Sequence, residues 1–276
     1  MLSIVRWPNV LFTAITQYII ALYIASPVKG TWAVLADLEL HLIVFATAFL
    51  IAGGFIINSF YDFEKDMVNR PHRTLFSRIV SKDFCLKTYF VVTILGVGLS
   101  AFASWRVLLF FSAFAFGLWF YSHKLQRYPI VREATSATLA VVSVFGILLY
   151  YQVINSLMVV YAAIFMSLML NREIIKNLRN YDGDVAVGNQ TISTYWGKRA
   201  SLRLFTGITA LVLVGLMAFF HWSTGRFTLY FSSGISLIAL IALALLWMRD
   251  AAHRLRIAHN LYKIAIAACI LYLVIY

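Results

Sequence analysis

The chain has 276 residues, 62% of them hydrophobic and only 12% charged, with a mean hydropathy of +0.84. A soluble globular protein is about half apolar and about a quarter charged, so this charge deficit excludes a dispersed soluble domain and points to one body of membrane helices over 1–276. The net charge of +12 would suggest nucleic acid in a soluble protein. Here membrane orientation and an anionic substrate account for it, and no nucleic-acid partner is expected.

A spanning helix needs roughly 20 mostly apolar residues. Residues 7–30 form the first such stretch and hold one charge, Lys29, near the far end. This run exceeds the about 7–15 apolar residues of a signal peptide, and many spans follow, so it is read as a retained span. Asn9 and Gln17 sit eight apart on it. Read as a pair facing the bundle interior, they are candidates for a cavity; read otherwise, they are interhelical hydrogen-bond glue.

The second stretch, 41–61, is uncharged, and its end runs from Asn58 into Asp62 and Asp66. Each step of four advances a helix by about 40°, so the three side chains share one face. All three offer oxygen, which suits a hard cation such as Mg²⁺, commonly held by one or two carboxylates plus substrate phosphates. An apolar helix meeting water is also where a lipid diphosphate can place its head and bury its tail. Arg70 and Arg73 follow at once. They would serve a diphosphate leaving group, and they equally satisfy the rule that puts basic residues inside.

Residues 88–105 and 107–122 are the next two spans, parted by Arg106. Residues 134–171 are uncharged for 38 residues, too long for one span. The cluster Tyr150, Tyr151, Gln152 and Asn155 predicts a turn between two helices. Residues 204–225 and 227–248 are parted at Arg226, and a last span over 257–276 is interrupted by Lys263. The total is nine. Cys85 and Cys269 lack metal-ligand spacing and read as packing residues.

The sixth span ends in a second polar run, from Asn171 to Asp184, with Gly188 to Thr191 beyond it. It is again rich in oxygen and in Lys and Arg. Asn180 and Asp184 repeat the spacing of four, and Asp182 adds a carboxylate. Two such ends are expected to hold a metal–diphosphate cluster together.

These motifs resemble the UbiA superfamily of intramembrane prenyltransferases. Asn58, Asp62 and Asp66 match its N-x-x-x-D-x-x-x-D motif, and 69–81 echo the basic stretch that follows. Arg172, Glu173, Lys176, Gly183 and Asp184 match its second motif, and Gly188 to Thr191 its G-x-x-T. Tyr121-Ser122 and Arg127-Tyr128-Pro129 match elements after span four. The sequence departs from the family at Asn177 and Asn180, where Asp is usual, and at Arg132-Glu133, where Gly-Asn is common. The opening Arg6-Trp7-Pro8-Asn9 with Thr16-Gln17-Tyr18 resembles the geranylgeranylglycerol-phosphate geranylgeranyltransferase-like branch.

The resemblance implies an all-α polytopic membrane protein with nine helices around a central cavity. It implies Mg²⁺-dependent transfer from a polyprenyl diphosphate to a lipophilic acceptor, best a prenylglycerol-phosphate-type lipid. Asn58, Asp62, Asp66 and Asp184 would be the catalytic group. The metal ligands would be these with Asn180 and Asp182. Arg70, Arg73, Lys176 and Arg179 would bind diphosphate. Tyr61, Tyr121 and Tyr181, near the right helix ends, could stabilise an allylic cation through their faces. An aromatic acceptor of quinone or terpenoid biosynthesis is the alternative, and a non-catalytic membrane carrier or scaffold is an alternative of another class. The expected location is a bacterial inner (plasma) membrane with the site on its cytoplasmic side, and no protein partner is indicated.

Orientation follows from the basic residues. The loops after spans 1, 3, 5 and 7 hold Lys29, Arg106 and Arg226, and the other 20 Lys and Arg lie on the opposite side. Basic residues concentrate in the cytoplasm, so the N-terminus is predicted inside and the C-terminus outside. A reporter fused after Tyr276 is expected to be active only on the outer side of the membrane; cytoplasmic activity would reverse this topology.

Overall fold

The computed structural model describes residues 5–25, 30–69, 82–186, 188–223, 225–248 and 252–275, with the backbone alone described at 25 and 63–69. Among these residues there is no strand. The helices are α1 (Trp7–Ile19, prolonged by a π-helical segment Ile20–Ala25), α2 (Thr31–Leu35), α3 (Leu38–Asn69), α4 (Lys82–Ala103), α5 (Trp105–His123) and α6 (Val131–Val142). They continue as α7 (Phe145–Tyr151), α8 (Ser156–Arg179), α9 (Tyr181–Ala186), α10 (Ile192–Trp222), α11 (Arg226–Trp247) and α12 (Ala252–Ile275). Nine helical stretches among the described residues are long and apolar enough to cross a membrane, the all-α, nine-span protein expected from the sequence.

The long uncharged run divides where its polar cluster lies. Gln152 ends α7 in the left-handed conformation, with φ 58°. Asn155 then caps α8, its side-chain oxygen accepting from the Met158 N–H at 2.9 Å, which satisfies one of the orphan donors of a helix start. Helix ends differ from the apolar limits because hydropathy marks the part in hydrocarbon, while hydrogen bonding carries the helix on into water. Thus α3 has 32 residues. α10 begins at Ile192 because Thr191 and Thr194 form a reciprocal capping box there.

The fifth span is itself interrupted, between α6 and α7. A backbone carbonyl freed inside hydrocarbon costs several kcal/mol unless it is partnered. The Ser143 carbonyl accepts from Gln17 Nε2 at 3.0 Å, and the same amide nitrogen donates to Thr47 Oγ1 at 2.8 Å. Gln17 is fully buried and acts as interhelical glue. Asn9 is exposed. Eight residues advance a helix by about 80°, enough to separate the environments of the two side chains.

The chain forms two compact units. The first comprises 1–126 and 142–153, the second 127–141 and 154–276. In the first unit α3 packs along α4, α5 and α1. Asp37, just ahead of α3, accepts from the Leu40 N–H at 3.3 Å and the Tyr151 hydroxyl at 3.0 Å. Burial pushes its carboxyl up, but hydrogen bonds with Glu39, Tyr151 and the backbone of Leu40 and Glu39 outweigh this and leave it below the usual range.

In the second unit α8, α10, α11 and α12 enclose a core that includes Leu168, Phe205, Leu216, Phe219 and Tyr262. Its buried polar group Asn171 donates to Thr209 Oγ1 and to the Tyr262 hydroxyl, both at 3.0 Å. Cys85 and Cys269 are free and buried, each within its own unit, as packing residues would be.

α3 and α4 approach closely at Gly96. A Cβ there would lie 2.9 Å from Leu50 Cγ and 3.1 Å from the Ala46 carbonyl oxygen. The first is a branch carbon and the second is backbone, so neither yields cheaply. Overpacking of this kind costs about 1–3 kcal/mol. Gly96→Ala is therefore expected to lower the melting temperature in detergent. Gly98→Ala, where a Cβ meets nothing within 4 Å, serves as the control and should leave it unchanged or slightly raised.

Candidate active site

Each unit carries one acid-rich helix end. In the first unit the four-residue spacing on α3 has the expected result. Asn58 Nδ2 donates to Asp62 Oδ2 at 2.8 Å, and both residues are half-buried. The α3 backbone continues to Asn69, so Asp66 stands one helical turn further on, with its side chain outside the described residues. Arg70 and Arg73 lie outside the described residues altogether.

Beside this end is an aromatic group. The Tyr61 hydroxyl pairs with His123 Nδ1 at 3.0 Å, and the His123 ring stacks on Trp119 with centroids 5.0 Å apart. Tyr121 is half-buried nearby on α5.

In the second unit the end of α8 buries Asn171, Ile174, Ile175 and Leu178. That stripe follows the spacing of a core-facing helix. It leaves Arg172, Glu173, Lys176 and Arg179 off the core. Glu173 is paired twice, with Lys176 Nζ at 2.9 Å and Arg172 Nη1 at 3.4 Å. Lys176 thus shares its charge with a carboxylate of its own helix. Arg179 is exposed, its Nε 3.4 Å from Asn180 Oδ1.

Asn180 ends α8, and its carbonyl accepts from the Asp184 N–H at 2.9 Å. The spacing of four read from the sequence is therefore one helical hydrogen bond across the α8–α9 joint. Asp184 Oδ1 accepts from Asn189 Nδ2 at 3.0 Å. The Asp182 side chain is 93% exposed, 3.9 Å from Lys198 Nζ. That ammonium also sits 4.6 Å from the centroid of Tyr181, so this ring already has a cation of its own unit on it.

Four residues beyond the candidates read from the sequence join the second end. Asn177 is buried and donates to Glu133 Oε1 at 2.8 Å. Glu133 binds Arg132, and Arg132 reaches Asn189. The available signal was the pair of departures from the family pattern, at 132–133 and at 177. Nothing in the sequence said that they touch.

Among the described residues no three His, Cys, Asp or Glu side chains converge as a metal cluster. The donor chemistry nevertheless fits a hard cation. Every candidate ligand is a carboxylate or an amide oxygen, with no thiolate or imidazole among them. The exposure of Asp182 leaves its oxygens open to a hydrated ion.

Nine apolar stretches among the described residues, with oxygen-rich helix ends, define a polytopic membrane protein. Residues 10–274 match the UbiA prenyltransferase family, and the chain belongs to that family. It is an integral-membrane prenyltransferase. A digeranylgeranylglyceryl phosphate synthase of Korarchaeum cryptofilum is 29% identical over 219 residues, 78% of each chain. A solved digeranylgeranylglyceryl phosphate synthase structure superposes with a TM-score of 0.80 at 22% identity, covering 100% of this chain and 98% of that one. A UbiA homologue from Archaeoglobus fulgidus bound to GPP and Mg²⁺ gives a TM-score of 0.71 at 15% identity, covering 100% and 99%. At these identities the two structures establish the fold.

Proposed function

We propose that this prenyltransferase uses Mg²⁺ to transfer the prenyl group of a polyprenyl diphosphate to a prenylglycerol-phosphate-type lipid. It would do so at the cytoplasmic side of a plasma membrane, with 1–276 working as a single prenyltransferase module. The acceptor rests on the relatives, which are digeranylgeranylglyceryl phosphate synthases matched over most of their length. They are mostly archaeal, so the reading extends to plasma membranes in general and no longer singles out a bacterial one. The diphosphate half rests on one observation, the Asn58 amide donating its Nδ2 to Asp62 Oδ2 at 2.8 Å where an apolar span ends, which sets both side chains on one face.

In this reading the allylic C1–O bond breaks and the diphosphate leaves with the electron pair. A hydroxyl oxygen of the acceptor attacks C1, a C–O bond forms and the hydroxyl proton is lost. Arg70, Arg73 and Arg179 meet the charge that develops on the leaving group. Lys176, tied to Glu173, contributes less net charge than its position in the motif suggests. The faces of Tyr61 and Tyr121 serve the transient allylic cation. Mg²⁺, when bound, neutralises the diphosphate. Within the first unit Asn58, Asp62 and Asp66 would offer it oxygens, and within the second Asn180, Asp182 and Asp184 would.

Purified protein, labelled geranylgeranyl diphosphate, Mg²⁺ and geranylgeranylglyceryl phosphate should yield a labelled ether lipid, and Asp62→Ala should reduce the yield by about 100-fold or more while still inserting. Label passing only to an aromatic acceptor would overturn the acceptor assignment. Wild-type turnover by Asp62→Ala would remove Asp62 from the site.

The second end is open to a charge test. Opposite unit charges about 4 Å apart interact by about 4 kcal/mol at an effective dielectric of about 20. Asn180→Asp is thus expected to lower the Mg²⁺ concentration for half-maximal activity, and Asp184→Asn to raise it steeply. An unchanged metal requirement and turnover in Asp184→Asn would show that this end holds no metal.

A further inference from the structure

Glu133, in the first turn of α6, is a buried charged side chain, 2% exposed. Its two oxygens meet only donors. Oε1 accepts from Asn177 Nδ2 at 2.8 Å and from Arg132 Nη2 at 2.9 Å. Oε2 accepts from the backbone N–H of Ile130 at 2.9 Å. Three donors around one carboxyl group call for an acceptor-only partner, which ionised Glu is and Gln is not.

Arg132 carries the link onward. Its Nη1 donates to Asn189 Oδ1 at 3.2 Å. Asn189 then donates its Nδ2 to Asp184 Oδ1 at 3.0 Å and its backbone N–H to the Asp184 carbonyl at 2.8 Å. One hydrogen-bonded path therefore joins Asn177, Glu133, Arg132, Asn189 and Asp184. It ties the start of α6 to the end of α8 and to the segment after α9, all within the second unit.

Two features distinguish this path from ordinary packing. A buried ion pair adds little stability over well-packed apolar groups, so its value lies in orientation. The planar guanidinium suits that role, because its donors leave in fixed directions and Arg132 uses two of them on two different segments. The second feature is Ile130, at φ 74°. A β-branched residue rarely adopts that conformation, and such strain persists only where the surroundings impose it. Here the Glu133 carboxylate holds the strained residue by its N–H.

We infer that Glu133 is a positioning residue of the second acid-rich end, fixing Asn177 directly and Asp184 through Arg132 and Asn189. It acts through these side chains and does not touch substrate. The catalytic consequence rests on the prenyl-transfer reading, whereas the hold on Asp184 can be measured without it.

The test is a mutant cycle on the full chain in detergent, read by hydrogen–deuterium exchange at the Asn189 amide and by kcat and acceptor KM. Glu133→Gln turns an N–H toward one of three donors. Exchange at Asn189 should rise about tenfold, and kcat should fall about 10- to 100-fold with acceptor KM unchanged. Asn177→Asp alone sets two carboxylates at hydrogen-bond distance and should do comparable harm. Combining the two exchanges amide and carboxylate, and should recover at least about tenfold in kcat together with the exchange protection.

Losses that simply multiply in the double variant would reduce Glu133 to a structural residue and overturn the inference. So would unchanged exchange at Asn189 in Glu133→Gln. If that variant fails to fold, Arg132→Met decides alone. It cuts the path while leaving Glu133 on Asn177 and Ile130, and unchanged exchange at Asn189 would refute the path. Should the exchange data follow the cycle while even the wild type transfers no label, the prenyl-transfer reading fails and the hold on Asp184 stands.

Discussion

Hydrocarbon offers no hydrogen bonds, and that constraint organises the molecule. Each backbone N–H and C=O within the membrane must find its partner inside the protein. The helix does this locally, which is why an apolar chain of this length resolves into spans. Where the fifth span breaks, the carbonyl of Ser143 is met by Gln17, a side chain 126 residues away. The same rule bears on Asn171, whose amide nitrogen donates to Thr209 and Tyr262 deep in the second unit. The amide nitrogens of Gln17 and Asn171 are thus committed to holding helices together.

Chemistry that needs unspent oxygen or charge is displaced to the helix ends. There water can solvate a carboxylate until a ligand replaces it. Asn58 and Asp62 sit where the apolar part of α3 ends, and Asp182 and Asp184 beyond the end of α8. The apolar body of each helix fixes how its end is turned. On α8, burial of Ile174, Ile175 and Leu178 leaves Glu173, Lys176 and Arg179 no choice but the other side.

Features with a local cause were legible in the sequence. The spans follow from hydropathy, the turn near Gln152 from a polar cluster within an apolar run too long for one span, and the Asn58–Asp62 face from a period of four. Features that arise between distant segments were not. Asn9 and Gln17 looked equivalent because both are polar on one apolar stretch, yet about 80° of turn separates an exposed side chain from a buried one. Tyr181 read as an open aromatic face, but Lys198 from α10 lies over it. Glu133 meets Asn177 across 44 residues, a contact that no window of sequence contains.

That last contact changes how the substitutions at the second end should be understood. Asn177 and Asn180 stand where the family motif that the sequence resembles has Asp, and counted along that motif the end has lost negative charge. Counted in space, a carboxylate remains beside Asn177, supplied by Glu133. It is not equivalent to the missing one, because Arg132 lies 2.9 Å from it and compensates its charge. Glu173 is likewise compensated by Lys176 and Arg172. The paired acids of this end, buried Glu133 and half-buried Glu173, are therefore internally balanced and serve to hold it in shape. The field that a cation would feel comes from Asp184, which only an amide restrains, and from the exposed Asp182. Rigid, neutral support beneath a small number of open carboxylates gives an end that is shaped before any ligand arrives, so little of the binding energy of a metal–diphosphate head need go into ordering it.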